Sequence, residues 1–227
     1  WNPGVNESAF QYARRRVKIK FKIHRFMKKQ LFFIILLGVV ELLAGCRPEG
    51  KEPETGVSIG LARQRKQDIS NLQYRLKFRI PENKQEEVIG KVQITLKQEK
   101  VQPVVLDFRE DPHKVKQLKV NGRPDSIRIS NEHIVVGTDY LKKGANEIEI
   151  DFIAGNQSLN RNDEFLYTLL VPERARTLFP CFDQPDMKSL FTLSLEVPSS
   201  WQAVANGAVE QVDSTSVAGC KRISFRI

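Results

Sequence analysis

Apolar and polar residues alternate strictly over residues 71–80, a pattern typical of a β-strand with one buried face. The apolar positions there are Leu72, Tyr74, Leu76, Phe78 and Ile80. Similar alternation marks five later segments, 92–96, 104–108, 148–152, 191–197 and 223–227. Many short strands separated by turn residues predict an all-β fold, either a β-sandwich or an open, strongly twisted sheet. Core formation explains this alternation, so it identifies a fold and not a function.

A tight hairpin is predicted at Asn121-Gly122, the dipeptide most typical of a two-residue turn. The strand before it ends at Val120, and we expect Ile127 and Ile129 on the returning strand. The last alternating segment has no turn residue after it. A domain seldom ends inside a strand, so we expect the β domain to be truncated at its C-terminal end.

Changes in composition define two further segments. Residues 46–68 are polar, contain prolines and glycines, and show little apolar periodicity, so they predict a flexible tether. The folded β-rich domain is expected to occupy residues 69–227. No long helical period is visible between the first 45 residues and the end of the chain.

Residues 27–45 have the layout of a secretory signal peptide. Met27 is followed by two lysines, the apolar run 31–40 and small residues up to Cys46. The ending Leu-Ala-Gly-Cys resembles the lipobox of bacterial lipoproteins, whose cysteine takes a diacylglycerol and becomes the mature N-terminus. We therefore expect a lipidated Cys46 that anchors the protein in a membrane of the cell envelope, facing the periplasm or the cell exterior. Residues 1–26 are then an upstream over-extension, the alternative being a basic arm with its own role.

A membrane-spanning helix is the rival interpretation of the apolar run. A span requires about 20 apolar residues, whereas the ten apolar residues here end at Glu41, whose charge is costly inside a bilayer. Export would place the protein where disulfides can form. The sequence does not establish whether Cys181 and Cys220 lie within bonding distance, and we expect both to be free thiols.

The net charge of +9 is concentrated in the signal region. Residues 1–45 carry a net charge of +7, and the remaining residues carry only +2. Because a nucleic-acid-binding domain needs its excess of Lys and Arg on the folded part, the distribution argues against nucleic acid as a partner. The hydrophobic share of 41% is sufficient for a packed core.

The chain lacks the sequence motif of a zinc peptidase. Such an enzyme needs His-Glu-x-x-His, and none of the three histidines, His24, His113 and His133, begins it. No cysteine pair has the spacing of a zinc site. We therefore expect neither catalysis nor a bound metal from this chain alone. Asp183 and Asp186 could form a carboxylate pair, but the flanking prolines favour a rigid turn.

One segment, 173–207, contains many residues of a known family motif at fixed spacing. It resembles the N-terminal domain of the gluzincin aminopeptidases, the aminopeptidase N family. The matching residues are Arg176, Phe179, Pro180, Cys181, Asp183, Pro185, Lys188, Val197, Pro198, Trp201, Val204 and Asn206. The resemblance extends over roughly residues 68–227 and implies a saddle-shaped β-sandwich.

By this resemblance, the complete protein would remove N-terminal residues from peptides. Its downstream catalytic domain would carry a Gly-x-Met-x-Asn substrate loop and a His-Glu-x-x-His zinc helix, where zinc polarises the scissile carbonyl and activates water. All of these residues would lie beyond Ile227, so zinc is expected only in the full-length protein. The alternative is a non-catalytic lipoprotein β-sandwich that binds peptides or a protein partner.

The resemblance also implies two roles for residues near the motif. It places a Gln or Glu that binds the substrate amine at Leu169 and Val171, where neither side chain can do so. Glu173 is the nearest acid that could substitute, the alternative being a solvated turn residue. The family motif residues Arg176, Phe179, Pro180, Cys181, Asp183 and Pro185 are expected at the interface with the catalytic domain. Alternatively, Phe179 and Phe182 complete the core of the β domain itself.

Overall fold

The computed structural model describes residues 52–214 and 217–226. The predictions for residues 1–26, for the signal at 27–45 and for Cys46 lie outside these described residues. Most regular structure in the described part is β-strand, so the prediction of an all-β fold is confirmed. Its helical segments are all too short to span a bilayer.

One α-helix precedes thirteen strands in the described residues. Helix α1 spans Ile59–Asp68. The strands are β1 Ile69–Arg79, β2 Ile89–Gln98, β3 Val104–Asp107, β4 Val115–Val120, β5 Arg123–Pro124, β6 Ile129–Ser130, β7 His133–Val136, β8 Gly144–Ile153, β9 Leu159–Arg161, β10 Leu166–Thr168, β11 Leu190–Pro198, β12 Ala208–Ser214 and β13 Cys220–Arg226. Two short 3-10 helices span Pro112–Lys114 and Ala175–Thr177.

The strands form three sheets. The largest has eight strands in the order β12-β13-β11-β1-β2-β8-β4-β5, and the smaller ones are β3-β7-β6 and β10-β9. Strand β1 pairs antiparallel with β2 and parallel with β11, so Leu76 lies between Val92 and Leu193. The parallel pairing places the start of β11, which follows the Pro180–Pro185 part of the family motif, beside Gln73 of β1.

The inward faces of the large sheet and the three-stranded sheet share one apolar core. Ile94 and Ile150 come from the large sheet, whereas Leu106 and Ile134 come from β3 and β7. Alternating burial along β1 agrees with the sequence pattern over residues 71–80. The two sheets therefore pack as the predicted sandwich.

The predicted turn at Asn121-Gly122 is present, but the predicted return strand is wrong. Both turn residues have positive φ, 51° and 78°, as a two-residue hairpin turn requires. The returning strand is β5, which ends at Pro124, because proline has no N–H with which to continue the ladder. Ile127 is exposed, and Ile129 pairs with Ile134 in the three-stranded sheet instead.

The predicted flexible tether is wrong for residues 59–68, which form α1. The Ser58 hydroxyl accepts the Leu61 N–H at 3.3 Å and caps the N-terminus of the helix. The helix has no continuous apolar face, and the one buried side chain it contributes is that of Arg65. The sequence pattern did not reveal this helix because an ion pair, and not apolar periodicity, attaches it to the sheets.

Candidate functional site

The family motif lies in a chain segment that extends the edge of β3. The Asp107 N–H donates to the Cys181 carbonyl at 2.7 Å, and the Cys181 N–H donates back to the Asp107 carbonyl at 3.1 Å. The Phe182 N–H donates to the Tyr74 hydroxyl at 2.9 Å, which ties the segment to β1 as well. The motif is therefore built into the domain by backbone hydrogen bonds.

The apolar residues of the motif are buried inside the β domain itself. Phe179 and Phe182 are only 4% and 6% exposed, and Pro180 and Cys181 are also buried. The Phe179 ring lies edge-on to Phe78, with their centroids 6.4 Å apart. These side chains therefore complete the core of the β domain itself, the alternative stated for Phe179 and Phe182. Pro185 is exposed and Asp183 is half-buried, and the expected interface with a catalytic domain stays a prediction.

Burial also determines the chemistry of the Cys181 side chain. Its thiol is free and lies in the core. Burial, with smaller contributions from the carboxylates of Asp183 and Asp107, raises the pKa of this thiol well above its ordinary value. A thiol that stays protonated and buried is not a nucleophile. Cys181 is a structural residue of the core.

The two aspartates that follow the Pro-Cys pair belong to a turn. The Met187 N–H donates to the Gln184 carbonyl at 3.0 Å and closes it. Asp183 accepts the Arg176 N–H at 3.1 Å, whereas Asp186 accepts from the Gln184 amide at 2.7 Å. Burial raises the pKa of Asp183. Each carboxylate therefore has a structural partner of its own.

A buried polar cluster of Arg65 and Asp107 contacts the family motif. Arg65 donates to both carboxylate oxygens of Asp107, at 3.0 Å and 2.6 Å, and its guanidinium lies 5.2 Å from the centre of the Phe182 ring. The Asp183 N–H donates to the same carboxylate at 2.8 Å. The cluster thus connects α1, β3 and the motif turn.

His133 completes this polar cluster from β7. Its Nδ1 lies 2.9 Å from an Asp107 carboxylate oxygen, and the whole side chain is buried. Its Nε2 lies 3.0 Å from each of the Glu54 and Gly56 carbonyl oxygens. Burial lowers the pKa of His133, but the hydrogen bond and charge of Asp107 outweigh it, so the pKa lies above its ordinary value.

The pKa of Asp107 is shifted downward, whereas that of His133 is shifted upward. Burial alone would raise it, whereas the hydrogen bonds from His133 and Arg65 and the charge of Arg65 lower it, and the net shift is downward. No motif or local pattern in the sequence marks Arg65, Asp107 or His133 as important residues. The one available signal is that Asp107 occupies a position between the apolar Leu106 and Phe108, a context that is equally typical of an outward-facing residue.

Arg176 lies at the centre of a second charged group. Its side chain is buried, 3.2 Å from the Glu173 carboxylate and 3.8 Å from that of Glu132. Glu173 has a positive φ of 40° and is largely exposed. The carboxylate that could contact a substrate amine is therefore already engaged by a cation of its own domain.

Four large apolar side chains lie exposed at alternate positions just before the motif. They form the β10 stripe: Phe165, Tyr167, Leu169 and Val171. Leu169 and Val171, the positions where the resemblance places amine-binding side chains, are 49% and 76% exposed. The stripe is therefore an apolar surface next to a buried motif.

The described residues offer no set of ligands for a metal. Nowhere in residues 52–214 and 217–226 do three or more His, Cys, Asp or Glu side chains gather with the geometry of a metal site. His133, the one buried histidine among them, faces a carboxylate and two carbonyl groups that already surround both ring nitrogens. The residues of this part of the chain therefore do not fit zinc.

Comparison with known proteins identifies the family. The profile of the Peptidase M1 N-terminal domain matches residues 70–225, and the chain belongs to this family. A probable aminopeptidase 1 from Sulfurisphaera tokodaii is 31% identical over 101 residues, which are 40% of this chain and 12% of that protein. A probable M1 family aminopeptidase 2 from Encephalitozoon cuniculi is 46% identical over 43 residues, 19% of this chain and 5% of that protein.

Solved structures show the same fold. The M1 zinc metallopeptidase from Deinococcus radiodurans has a TM-score of 0.59 and 20% identity, over 70% of this chain and 39% of that chain. Aminopeptidase A from Legionella pneumophila, solved with aspartic acid, has a TM-score of 0.61 and 14% identity, over 70% of this chain and 20% of that chain. The chain thus spans about an eighth or less of the curated relatives and about two fifths or less of these structures.

Proposed function

We propose that this chain is the non-catalytic N-terminal portion of a lipid-anchored zinc aminopeptidase. The observation that carries the proposal is the family match over residues 70–225, combined with relatives that extend far beyond the matched part. The relatives are named as aminopeptidases and zinc metallopeptidases. Removal of N-terminal residues from peptides would then be performed by a catalytic domain that follows this one, and zinc would be bound there.

The sequence that follows Ile227 in the gene provides the most direct test. A Gly-x-Met-x-Asn loop followed by a His-Glu-x-x-His helix is expected there. A continuation without either motif would contradict the proposal. It would favour instead a non-catalytic lipoprotein that binds peptides or a partner.

A second test uses the 227-residue chain itself. Purified chain should not hydrolyse aminoacyl-anilides and should bind no zinc at a one-to-one ratio. Activity that remains with the chain through successive chromatography steps would show a catalytic site within these residues. A mock preparation from cells without the gene is the control for contaminating peptidases.

Lipid attachment at Cys46 is part of the same proposal. Its support is the signal-like order of residues 27–45 and the Leu-Ala-Gly-Cys ending, which together predict export and anchoring in the cell envelope. Mass spectrometry of the membrane-extracted protein should find acylated Cys46 as the mature N-terminus. A mature protein that retains residues before Cys46, or a Cys46→Ala protein that stays fully membrane-bound after export, would contradict it.

The β10 stripe is our proposed contact surface for the catalytic domain. The buried motif residues Phe179 and Cys181 offer little surface, whereas Phe165 and Leu169 are exposed, and exposed apolar patches mark interaction sites. The occupant we assign is the continuation of this polypeptide. Its support is the two-domain architecture named for an M1 zinc metallopeptidase structure of which this chain covers 39%.

A double substitution, Phe165→Ser with Leu169→Ser, separates docking from stability. In the full-length protein it should impair peptidase activity and domain docking, while the denaturant midpoint of the 227-residue chain stays nearly unchanged. Substitution of the exposed Ile59 by Ser, remote from the stripe in sequence, is the control. Full activity of the double variant would show that the stripe is not the contact surface.

Glu173 is proposed to act within its own domain, because it forms an ion pair with Arg176. Glu173→Gln in the full-length protein should leave KM for aminoacyl-anilides unchanged. We propose that the substrate amine is bound by the catalytic domain, since Leu169 and Val171 have no charge to offer. A large rise in KM with Glu173→Gln would assign the amine contact to Glu173.

A further inference from the structure

Strand β12, at one end of the eight-stranded sheet, turns apolar side chains towards the core side of that sheet. Val209 pairs with Phe225 of β13, and Val212 pairs with Ile223. Side chains of directly opposed residues point to the same face of a sheet. Phe225 and Ile223 are buried in the apolar core. Val209 and Val212 therefore lie on the core-facing side.

A β-bulge places both valines on this face although they are three positions apart. In a regular strand, successive side chains alternate between the two faces. The register of β12 against β13 shifts between Val209 and Gln211, so Glu210 is an extra residue and Val212 returns to the side of Val209. Gln211, which pairs with Ser224, points to the opposite side. Strand β12 is therefore amphipathic, with its apolar side towards the core.

The apolar core does not extend as far as β12. On the same face, Leu76 of β1 is 6% exposed, whereas Val209 and Val212 are 50% and 57% exposed. Leu193 and Leu195 of β11 also lie on this face and are only half-buried. These residues form an uncovered apolar surface, here called the edge patch: Leu193, Leu195, Val209 and Val212.

The edge patch is small compared with the interfaces that hold separate molecules together. It extends over the seven residues of β12 and the width of three strands. At the usual rise and strand spacing, this is roughly 24 Å by roughly 14 Å, an area of about 340 Å². A stable interface between separate molecules buries about 800 Å² on each partner. A second copy of this chain or a free partner would therefore gain too little from the patch to remain bound.

An occupant that belongs to the same polypeptide has no such limit, because covalent linkage raises its effective concentration. The M1 zinc metallopeptidase from Deinococcus radiodurans shares this fold, and this chain covers only 39% of it, so that relative has further polypeptide. We propose that the polypeptide that continues after this domain packs an apolar face onto the edge patch. The inference rests on the proposed function, and it gives the following domain a second contact besides the β10 stripe.

Thiol labelling of Val212→Cys with a maleimide tests this contact in the 227-residue chain and in the full-length protein. Peptide mapping by mass spectrometry separates the new site from the native Cys220. Labelling in the full-length protein should be slower by about tenfold or more, because a covered thiol reacts only after local opening. Equal labelling rates in the two proteins would overturn the proposal.

The matched control is Gln211→Cys, because Gln211 lies exposed on the opposite side of the same strand. It should label at the same rate in both proteins. Light scattering should show that the 227-residue chain is a monomer. A dimer of this chain in which Val212→Cys is protected would overturn the proposal and assign the patch to a second copy.

Hydrolysis of aminoacyl-anilides distinguishes a failure of this inference from a failure of the proposed function. An active full-length protein in which Val212→Cys labels freely would contradict the contact at the edge patch alone. An inactive full-length protein without His-Glu-x-x-His, in which Val212→Cys is nevertheless protected, would contradict the proposed function alone.

Discussion

Arg65 and Asp107, 42 residues apart in the sequence, form a buried ion pair with two hydrogen bonds. Their side chains are 3% and 0% exposed. Arg65 also donates to the Val105 carbonyl at 2.8 Å. This pair attaches α1 to β3, and Asp107 in turn accepts the backbone N–H of Asp183. A single carboxylate thus organises the helix, the strand and the family motif.

Removal of the arginine should strongly destabilise the domain. Arg65→Met leaves the Asp107 charge buried with fewer partners, and breaking such a pair costs about 3–5 kcal/mol. Urea unfolding of the 227-residue chain gives the free energy. Lys84→Met is the control, because the Lys84–Asp163 pair is exposed and such pairs are worth about 0–1 kcal/mol. Equal losses in the two variants would show that the buried pair has no special role.

Phe182 should contribute to the stability of this chain on its own. Phe182→Ala removes a ring that is packed beneath Arg65, and phenylalanine truncation in a core costs about 3–5 kcal/mol. Phe165→Ala makes the same chemical change at an exposed position and should cost within about 0.5 kcal/mol. Chemical denaturation compares them. An unchanged midpoint for Phe182→Ala would restore the interpretation that this ring docks against another domain.

Gly90 should not tolerate even a methyl group. A Cβ at this position would collide with the ring of Phe152, which lies opposite it on β8. Gly90→Ala is therefore expected to lower the free energy of unfolding by about 1–3 kcal/mol, the usual cost of overpacking. Gly137→Ala, where a Cβ would meet nothing, is the control. Urea unfolding compares the free energies of the two alanine variants. Equal values would show that the Phe152 ring can move aside.

The ion pair also predicts how stability depends on acid. Folding lowers the pKa of Asp107, so its contribution is present above the unfolded value of about 3.9 and is lost as the pH falls through the folded pKa. Between about pH 5 and pH 3, the free energy of unfolding should therefore fall more steeply in the wild type than in Asp107→Asn. Equal slopes over this range would show that Asp107 is not linked to folding.

The alternating pattern predicted the large sheet well because one face of each long strand is buried. Leu72 to Ile80 is the clearest case, and the buried positions of β1 agree with it. Helix α1 could not be predicted in this way, since its attachment depends on one arginine and a partner 42 residues away. No local period encodes such a contact.

The family motif was recognisable, but its physical role was not. Spacing identifies the segment around Pro180 and Cys181, whereas only the structure shows that both side chains are buried in the domain. The return strand of the Asn121 turn was assigned to Ile127 and Ile129 because they are apolar. An apolar residue can pack in either the eight-stranded or the three-stranded sheet, and Ile129 pairs within the three-stranded one.

The early start of the ordered domain limits how far an anchored protein could move from its membrane. With an acylated Cys46, only five residues separate the lipid-bearing position from Glu52. An extended chain advances at most about 3.6 Å per residue, so these five residues span at most roughly 20 Å. With so short a connection, an anchored protein would hold this domain directly on the lipid surface, with little freedom to move away from it.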